Sequence, residues 1–224
     1  MQQTPAETSA LPPSRAGSLA LVGGAACLNF ANTSSGRGTP LLQEHLRSYE
    51  LLLVWCVHAG VVSARAKRVL HGLAAARRAA AARILRRALA LREAIHSVGA
   101  ALSQGKPLPA DALDIINREF AAAMAQARLR RVEDTFVLDW AGQPPALDQV
   151  LRPLVRSAAE LLLAPSHGRI KQCPGCGCGW IFLDQTKNRT RRWCEMEVCG
   201  SRAKVRRYRE RQRKMNRRDA ETQR

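Results

Sequence analysis

Hydrophobic residues recur along most of the chain at spacings of three and four, which is the period of amphipathic helices. This pattern predicts a helix over residues 41–59, with Pro40 before its start and Gly60 at its end. A second helix is predicted over residues 64–80, with Ser63 as its cap. The alanine run that follows fits either one continuous helix or two. The apolar face then continues through Ile84, Ala88, Leu91, Ile95 and Val98.

A short hairpin interrupts the helical pattern. Residues 109–131 predict another helix, whereas residues 135–140 have the composition of a strand. The best partner for that strand in a hairpin is the segment 128–133. Residues 147–163 predict the last helix of this region, and the Pro-Ser-His-Gly run at 165–168 predicts a hinge. The fold class is therefore mainly α, with a helical N-terminal domain that carries a short β hairpin.

Composition agrees with packed helices and sets the outer limits of the domains. Hydrophobic residues make up 46% of the chain but aromatic residues only 4%, so the core must consist of aliphatic side chains. Residues 1–17 are rich in Pro, Ser and Thr and predict a disordered leader. The helical domain then spans residues 18–165, and its apolar stripes predict that it folds on its own. No apolar run is long enough for a transmembrane helix, so we expect no membrane partner.

Charge points to a polyanionic partner. The formal net charge is +18, and residues 166–224 hold 17 Lys and Arg against 6 Asp and Glu. Arg outnumbers Lys strongly, and the planar guanidinium suits phosphates and guanine edges. A bias toward arginine codons would explain that preference, but it would not explain the clustering at one end. The concentration of charge favours nucleic acid as the partner.

The cysteines predict a metal site. Five of the seven lie between Cys173 and Cys199, which is unlike a disulfide framework and typical of a reduced, cytoplasmic zinc site. Four thiolates suit one structural Zn²⁺, and the metal would replace a core that so short a segment cannot build. Spacing leaves the fourth ligand open: Cys173 with Cys176 forms a common C-P-x-C-G turn. Cys173 with Cys178 instead repeats the spacing of the second pair, Cys194 and Cys199.

Three segments of the tail carry a family resemblance: Cys178-Gly179-Trp180-Ile181-Phe182-Leu183-Asp184, Asn188 to Met196 with its three arginines, and Cys199-Gly200-Ser201-Arg202-Ala203-Lys204. They resemble the CGNR zinc-finger family, whose treble-clef-like module would here span residues 166–216 and end in a basic helix. In that family the ligand directly precedes a Gly-Trp-x-Phe-x-Asp run, which favours Cys178 over Cys176. Ser201 stands where the family has Asn, and Ser caps a helix about as well.

A second resemblance lies near the N-terminus, in the segments Leu21-Val22-Gly23-Gly24 and Leu28-Asn29-Phe30-Ala31-Asn32-Thr33. These residues resemble the start of the ABATE domain, which usually precedes the CGNR finger, with Asn29 in place of the usual Asp. The resemblance implies a bacterial transcription regulator whose N-terminal domain senses stress or an unknown small-molecule effector. We expect residues 217–224 to form a disordered tail.

The basic helix is expected to start at Gly200 or Ser201 and to end near residue 216. It repels itself through like charges and would gain from a phosphate surface, so we expect it to enter the major groove of DNA. A single finger would need a partner subunit for specific binding, which favours a homodimer. The predicted nucleic-acid contacts are Arg189, Arg191 and Arg192 between the cysteine pairs, and Arg202, Lys204, Arg206, Arg209 and Arg213 on the helix.

Three other functions compete with DNA binding. The same charge would serve RNA, but no exposed aromatic platform of the usual kind is evident. A fifth cysteine beside four ligands would suit a thiol-based redox sensor. An enzyme is disfavoured, because the five histidines are scattered and no catalytic motif stands out. The leading hypothesis is a zinc-dependent, DNA-binding transcription regulator.

Overall fold

The computed structural model describes residues 12–37, 39–40, 42–140 and 144–222, with side chains to residue 216. Within these residues the mainly α architecture is confirmed. The helices are α1 (Ala26–Ala31), α2 (Tyr49–His58), α3 (Ala64–Ala76), α4 (Arg78–Gln104), α5 (Ala110–Met124), α6 (Arg152–Leu163) and α7 (Ser201–Thr222). Three antiparallel pairs are formed by β1 (Ser34–Ser35) with β2 (Gln43–Glu44), β3 (Arg128–Val132) with β4 (Thr135–Asp139), and β5 (Ile170–Gln172) with β6 (Ile181–Leu183). No helix in the described ranges combines the length and the apolar character needed to cross a bilayer.

The packed chain begins before residue 18, where the sequence predicts the domain to start. Residues 1–11 of the predicted leader lie outside the described residues. Ser14 Oγ donates to the carbonyl oxygen of His45 at 2.7 Å, and Ala16 is buried in the core. The prediction of a leader that reaches residue 17 is therefore wrong at its C-terminal end, because this segment packs beside the chain that leads into α2.

Helix α2 begins at Tyr49 and not at residue 41. Ser48 caps it by accepting a hydrogen bond from the Leu51 amide at 3.1 Å. Gln43 and Glu44, which lie within the predicted helix, form β2, so the helix cannot begin before them. Leu42 and Leu46 have helical spacing, but only Leu46 is buried, while Leu42 is 62% exposed. The apolar spacing thus misplaced the start of this helix.

The predicted alanine-rich region contains two helices. Ser63 caps α3 as predicted, through a hydrogen bond from the Ala66 amide at 3.1 Å. The backbone of Arg77, with φ −130° and ψ 54°, then breaks the helical path before α4 starts. Helix α4 ends at Gly105, whose φ of 61° is a left-handed conformation that glycine adopts without strain.

The predicted hairpin is confirmed, and it shortens the helix before it. Helix α5 ends at Met124 and not near residue 131, because Arg128–Val132 form β3. Strand β3 pairs with β4 from Arg128 opposite Asp139 to Val132 opposite Thr135. The last predicted helix of this region is α6, with a 3-10 turn over Leu147–Val150 before it.

One hydrophobic core runs across the predicted domain boundary at residue 165. Ile170, Ile181 and Phe182 of the C-terminal segment are buried in the same cluster as the side chains of α1 and α4. A Cβ atom added to Gly99 of α4 would lie only 2.7 Å from Ile181 Cδ1, so a larger residue would push the buried Ile181 side chain out of its position. The predicted hinge is a 3-10 turn, Pro165–Arg169, that leads directly into β5. The helical region therefore does not have a closed core of its own.

Candidate metal centre and basic helix

A tight hairpin presents the first pair of cysteines. Strands β5 and β6 flank a turn in which the Cys173 amide donates to the Trp180 carbonyl at 2.7 Å and the Cys178 amide to the Gly175 carbonyl at 2.9 Å. Gly177 and Gly179 both have positive φ, at 69° and 65°, which is the reason for glycine on either side of Cys178. The turn thereby brings the thiols of Cys173 and Cys178 to the same side.

In the second pair, Cys199 lies within a single π-type helical turn, Met196–Gly200, and Cys194 lies just before that turn. The Cys199 amide donates to the Glu195 carbonyl at 3.0 Å, which folds Cys199 back beside Cys194. A Cβ atom at Gly200 would meet Met196 Sδ and would lie 3.2 Å from Trp193 Cδ1, so a larger residue would displace the Met196 side chain. Helix α7 continues directly from it. Ser201 Oγ donates to the Met196 carbonyl at 3.3 Å, and Ser201 therefore does not act as the expected N-terminal cap.

The two pairs converge on one point with the donor chemistry of a metal site. The sulfur atoms of Cys173, Cys178, Cys194 and Cys199 all lie within 4.8 Å of one another. Cys194 Sγ is 3.6 Å from Cys178 Sγ and 3.5 Å from Cys199 Sγ. Zn–S bonds of about 2.3 Å in a tetrahedron require S···S separations of about 3.8 Å. The four residues therefore fit a tetrahedral metal ion closely.

Cys176 lies outside this group of sulfur atoms. Its side chain is exposed, whereas the four clustered cysteines are buried or half-buried. The geometry thus favours Cys178 over Cys176 as the fourth ligand, in agreement with the position of Cys178 before Gly179 and Trp180.

Mutual contact makes the four thiols depend on a cation. Hydrogen bonds from Cys178 and Cys194 lower the pKa of Cys173, and the same contacts with Cys173 raise the pKa values of Cys178 and Cys194. One negative charge in the cluster therefore opposes the next. Full ionisation of all four sulfurs requires a positive ion among them.

A buried carboxylate organises the loop between the two cysteine pairs. Asp184 is fully buried and accepts hydrogen bonds from Lys171 Nζ at 2.6 Å, from the Thr186 amide and hydroxyl, and from the Arg191 amide at 3.1 Å. Burial alone would raise the pKa of Asp184, but Lys171 and Thr186 hold it well below its usual range. The Asp of the Gly-Trp-x-Phe-x-Asp run is thus a structural anchor.

Arg191 has a structural role that the sequence analysis missed, and this role argues against its prediction as a nucleic-acid contact. Its guanidinium donates to the carbonyl oxygens of Val22, Leu183, Trp193 and Cys194, at 2.6–3.3 Å. The same group lies 4.3 Å from the centre of the Phe182 ring. These contacts use four of the five N–H donors of the guanidinium, and they give partners to four backbone carbonyl oxygens.

The other predicted cations face solvent. Arg189 and Arg192 are exposed, and Arg192 lies 5.1 Å from the centre of the Trp193 ring. On α7 the side chains of Arg202, Lys204, Arg206, Arg209 and Arg213 are all exposed. Helix α7 continues to Thr222, beyond the predicted end near residue 216, so the predicted tail is helical over residues 217–222. Residues 223–224 of that tail lie outside the described ones.

Comparison with protein families places this geometry in a known context. Residues 24–165 match the ABATE family model, described as "putative stress-induced transcription regulator", and this match covers more than half of the chain. The chain belongs to the ABATE family. Residues 169–212 match the CGNR zinc finger, so the four clustered cysteines lie within that finger. A search of curated proteins gives no match.

The ABATE domain holds the finger through buried polar contacts that the sequence analysis missed. The Asn32 side chain pairs with the backbone of Ile181, accepting from its amide at 2.9 Å and donating to its carbonyl at 2.8 Å. The Trp180 indole donates to the Ser34 carbonyl at 3.0 Å. Asn32 belongs to the segment that carries the ABATE resemblance. Its position next to apolar Phe30 and Ala31, which are buried with it, was the one sequence signal for this contact.

The ABATE domain also covers the first cysteine turn. Cβ atoms added to Gly177 and Gly179 would lie 3.1 Å from Thr39 Cγ2 and 3.0 Å from Arg37 Cβ, respectively. Arg37 is fixed by a two-pronged ion pair with Glu93 of α4, at 2.6 and 3.0 Å. His96 of α4 lies 2.9 Å from the Gly179 carbonyl. Helix α4 is therefore in direct contact with the turn that presents Cys178.

The two candidate cysteines can be separated by mutation. We expect Cys178→Ser to lose the bound metal and Cys176→Ser to retain it, because only Cys178 Sγ lies within the sulfur cluster. Elemental analysis of both purified variants is the measurement, and the wild-type protein should carry about one zinc per chain. Metal loss in Cys176→Ser with full retention in Cys178→Ser would restore the C-P-x-C-G ligand set.

Proposed function

We propose that this ABATE protein is a zinc-dependent, DNA-binding transcription regulator whose N-terminal domain senses a ligand or stress. The observation that carries the proposal is α7, a basic helix that starts directly after the cysteine cluster and, over residues 201–216, exposes its cationic side chains to solvent. At 1.5 Å per residue, such a helix is about 33 Å long, enough to follow a major groove across the duplex.

Zn²⁺ would act as a structural ion. Four sulfur ligands leave no open coordination position, which supports a non-catalytic protein. Cys173 and Cys178 would join the metal to β5 and β6, while Cys194 and Cys199 would join it to the start of α7. The metal would thereby fix the direction in which α7 leaves the core.

The charge pattern of α7 supports binding to phosphates. Arg202, Arg206, Arg209 and Arg213 follow one another at spacings of four, three and four, so they lie along one face. Glu210 is the one acidic residue whose side chain is described on this helix, and it lies 3.8 Å from Arg206. The remaining cations have no acidic neighbour within ion-pairing distance among the described side chains, and they are available to a polyanion.

An apolar stripe on α7 is exposed as well. Val205, Tyr208 and Met215 are 48%, 63% and 56% exposed, and the helix makes its main contact with the π-type turn before it. Such a stripe on an otherwise polar helix supports a contact surface, and a second copy of α7 on a symmetric DNA site would cover it. We therefore propose a homodimer on DNA, in the cytoplasm where the thiols stay reduced.

Salt dependence tests the proposal. Each phosphate contact contributes roughly 0.9 to the slope of log affinity against log salt on duplex DNA. We expect Arg206→Ala combined with Arg209→Ala to flatten that slope by about 2 and to weaken all duplex sequences alike. Fluorescence anisotropy with random duplex DNA at several salt concentrations measures both quantities.

The matched control removes two arginines that lie elsewhere. Arg65 and Arg68 of α3 are exposed, and Arg65→Ala with Arg68→Ala changes the net charge equally. This control should leave the slope close to that of the wild type. Equal effects of the two double variants would contradict a role for α7, and tighter binding to single-stranded RNA than to duplex DNA would favour the RNA alternative.

A further inference from the structure

A charged groove lies on the ABATE domain, far along α4 from the cysteine cluster. It has a volume of about 550 Å³ and lies between the bend that joins α3 to α4 and the 3-10 turn at Leu147–Val150. This volume is within the usual range for small-molecule sites. We call it the arginine groove, and the residues that matter to its chemistry are Leu73, Arg77, Arg83, Ile84, Arg86 and Leu147.

The groove contains positive charge that the protein does not neutralise. Among the described residues, the guanidinium groups of Arg77, Arg83 and Arg86 have no hydrogen-bond or ion-pair partner. The acidic residue of the lining, Asp148, lies 3.4 Å from Arg152 and 4.0 Å from Arg87. The carboxylate of Asp148 is therefore already paired with Arg152 and Arg87. It does not neutralise Arg77, Arg83 and Arg86.

The start of α4 adds to this positive field. Arg77 provides no side-chain cap to the first turn of α4, and that turn contains no acidic residue. The free amide groups at a helix N-terminus carry a partial positive charge. Because Arg77 and Ala80 both line the groove, this end of the helix faces the same space as the three arginines.

The floor of the groove is apolar. Leu147 is buried, and Leu73 and Ile84 are half-buried with part of their surface towards the groove. An inorganic anion would use the arginines but leave these side chains in water. A ligand that combines a negative head with a hydrocarbon body would use both.

We propose that the arginine groove binds an amphipathic anion, with a carboxylate or phosphate head on Arg77, Arg83 and Arg86 and an aliphatic chain over Leu73, Ile84 and Leu147. Helix α4 runs from this groove to Glu93, His96 and Gly99, which contact the finger and the loop that covers it. The site would supply the sensing half of the proposed function. Ligand binding in the arginine groove can be measured without DNA. Only the idea that this ligand regulates DNA binding rests on the proposed function.

Thermal unfolding and isothermal titration of the full-length, zinc-loaded protein test the site with four probes. Octanoate and octyl phosphate carry both features, octanamide lacks the charge, and inorganic phosphate lacks the chain. We expect the two amphipathic anions to raise the unfolding temperature with increasing concentration and to give a saturable heat. We expect octanamide and inorganic phosphate to bind at least about tenfold more weakly, because each lacks one half of the site.

Two substitutions locate the binding. Arg83→Gln should weaken the amphipathic anion about tenfold or more through the loss of a charged hydrogen bond. Arg68→Gln, an equal charge change at an exposed position outside the groove, should leave the affinity unchanged. Arg83 is exposed and unpaired among the described residues, so its variant should fold. Absence of binding by both amphipathic anions, equal binding of inorganic phosphate, or equal effects of the two substitutions would overturn the proposal.

Discussion

A chain that ends at Pro165 is expected to lack a cooperative thermal unfolding transition. Removing the finger exposes the surfaces of α1 and α4 that pack on Ile170, Ile181 and Phe182, and it leaves the polar group of Asn32 without its partner. Each large apolar side chain contributes about 1.5–3 kcal/mol on burial. The total loss is comparable to the whole stability of a domain, about 5–15 kcal/mol. Circular dichroism at increasing temperature measures the result.

A point substitution tests the same idea without truncation. Phe182→Ala should cost about 3–5 kcal/mol of unfolding free energy, because its ring is fully buried. Phe136→Ala is the matched control: that ring lies on the β3–β4 hairpin, is 72% exposed, and should contribute less than about 0.5 kcal/mol. If the finger were an independent unit, Phe182→Ala would abolish metal binding but leave the main helical transition unchanged. That outcome would mean that the region before residue 165 folds on its own, as the sequence predicts.

The sequence predicted local structure well where one signal acted alone. Ser63 lies directly before a periodic apolar segment, and it caps α3 in the structure. The hairpin of β3 and β4 followed from one strand-like segment and the need for a partner. The predicted start of α2 was wrong because Leu42 and Leu46 have the spacing of a helical face. Pairing of β2 with β1 keeps that segment extended. Periodicity does not report such short tertiary pairings.

The cysteine cluster was predictable because the sequence spacing of the cysteines and the glycines beside them favour tight turns that bring the thiols together. The choice of Cys178 needed the family resemblance, since the spacing of Cys173 to Cys176 is equally reasonable. The integration of the finger into the core could not be read from the sequence in the same way. In the sequence, Ile181 and Phe182 belong only to a segment that carries the finger resemblance. In the structure both are buried in the main core, where Ile181 packs against Gly99 of α4.

The sequence analysis gave Arg191 and Arg192 the same predicted role, whereas the structure gives them different surroundings. Arg191 and Arg192 are adjacent, equally charged and equally placed between the cysteine pairs. Only the fold shows that Arg191 turns inward to four carbonyl oxygens while Arg192 remains exposed. Composition and charge count the cations, but they do not show which of them are already used as donors.

Substitution of Arg191 and of Arg192 should affect stability very differently. Arg191→Gln is expected to lower the unfolding free energy by about 3 kcal/mol or more, because several inward-facing carbonyls lose a charged donor and each such bond contributes about 1.5–3 kcal/mol. Arg192→Gln removes an exposed cation over the Trp193 ring and should cost less than about 1 kcal/mol. Chemical denaturation of the zinc-loaded protein measures both values.

For DNA binding we expect the reverse, with the larger effect in Arg192→Gln and the smaller in Arg191→Gln. At a temperature where both variants are folded, Arg192→Gln should flatten the salt slope by about 1. Arg191→Gln should leave the slope unchanged, because its guanidinium is already bonded to four carbonyl oxygens. The same charge change at neighbouring positions thus separates a structural cation from a binding one. A flattened slope in Arg191→Gln with unaltered stability would mean that Arg191 leaves its carbonyl partners to contact DNA. The finger would then rearrange on binding, since the Val22 carbonyl would lose the donor that joins the ABATE domain to the loop between the cysteine pairs.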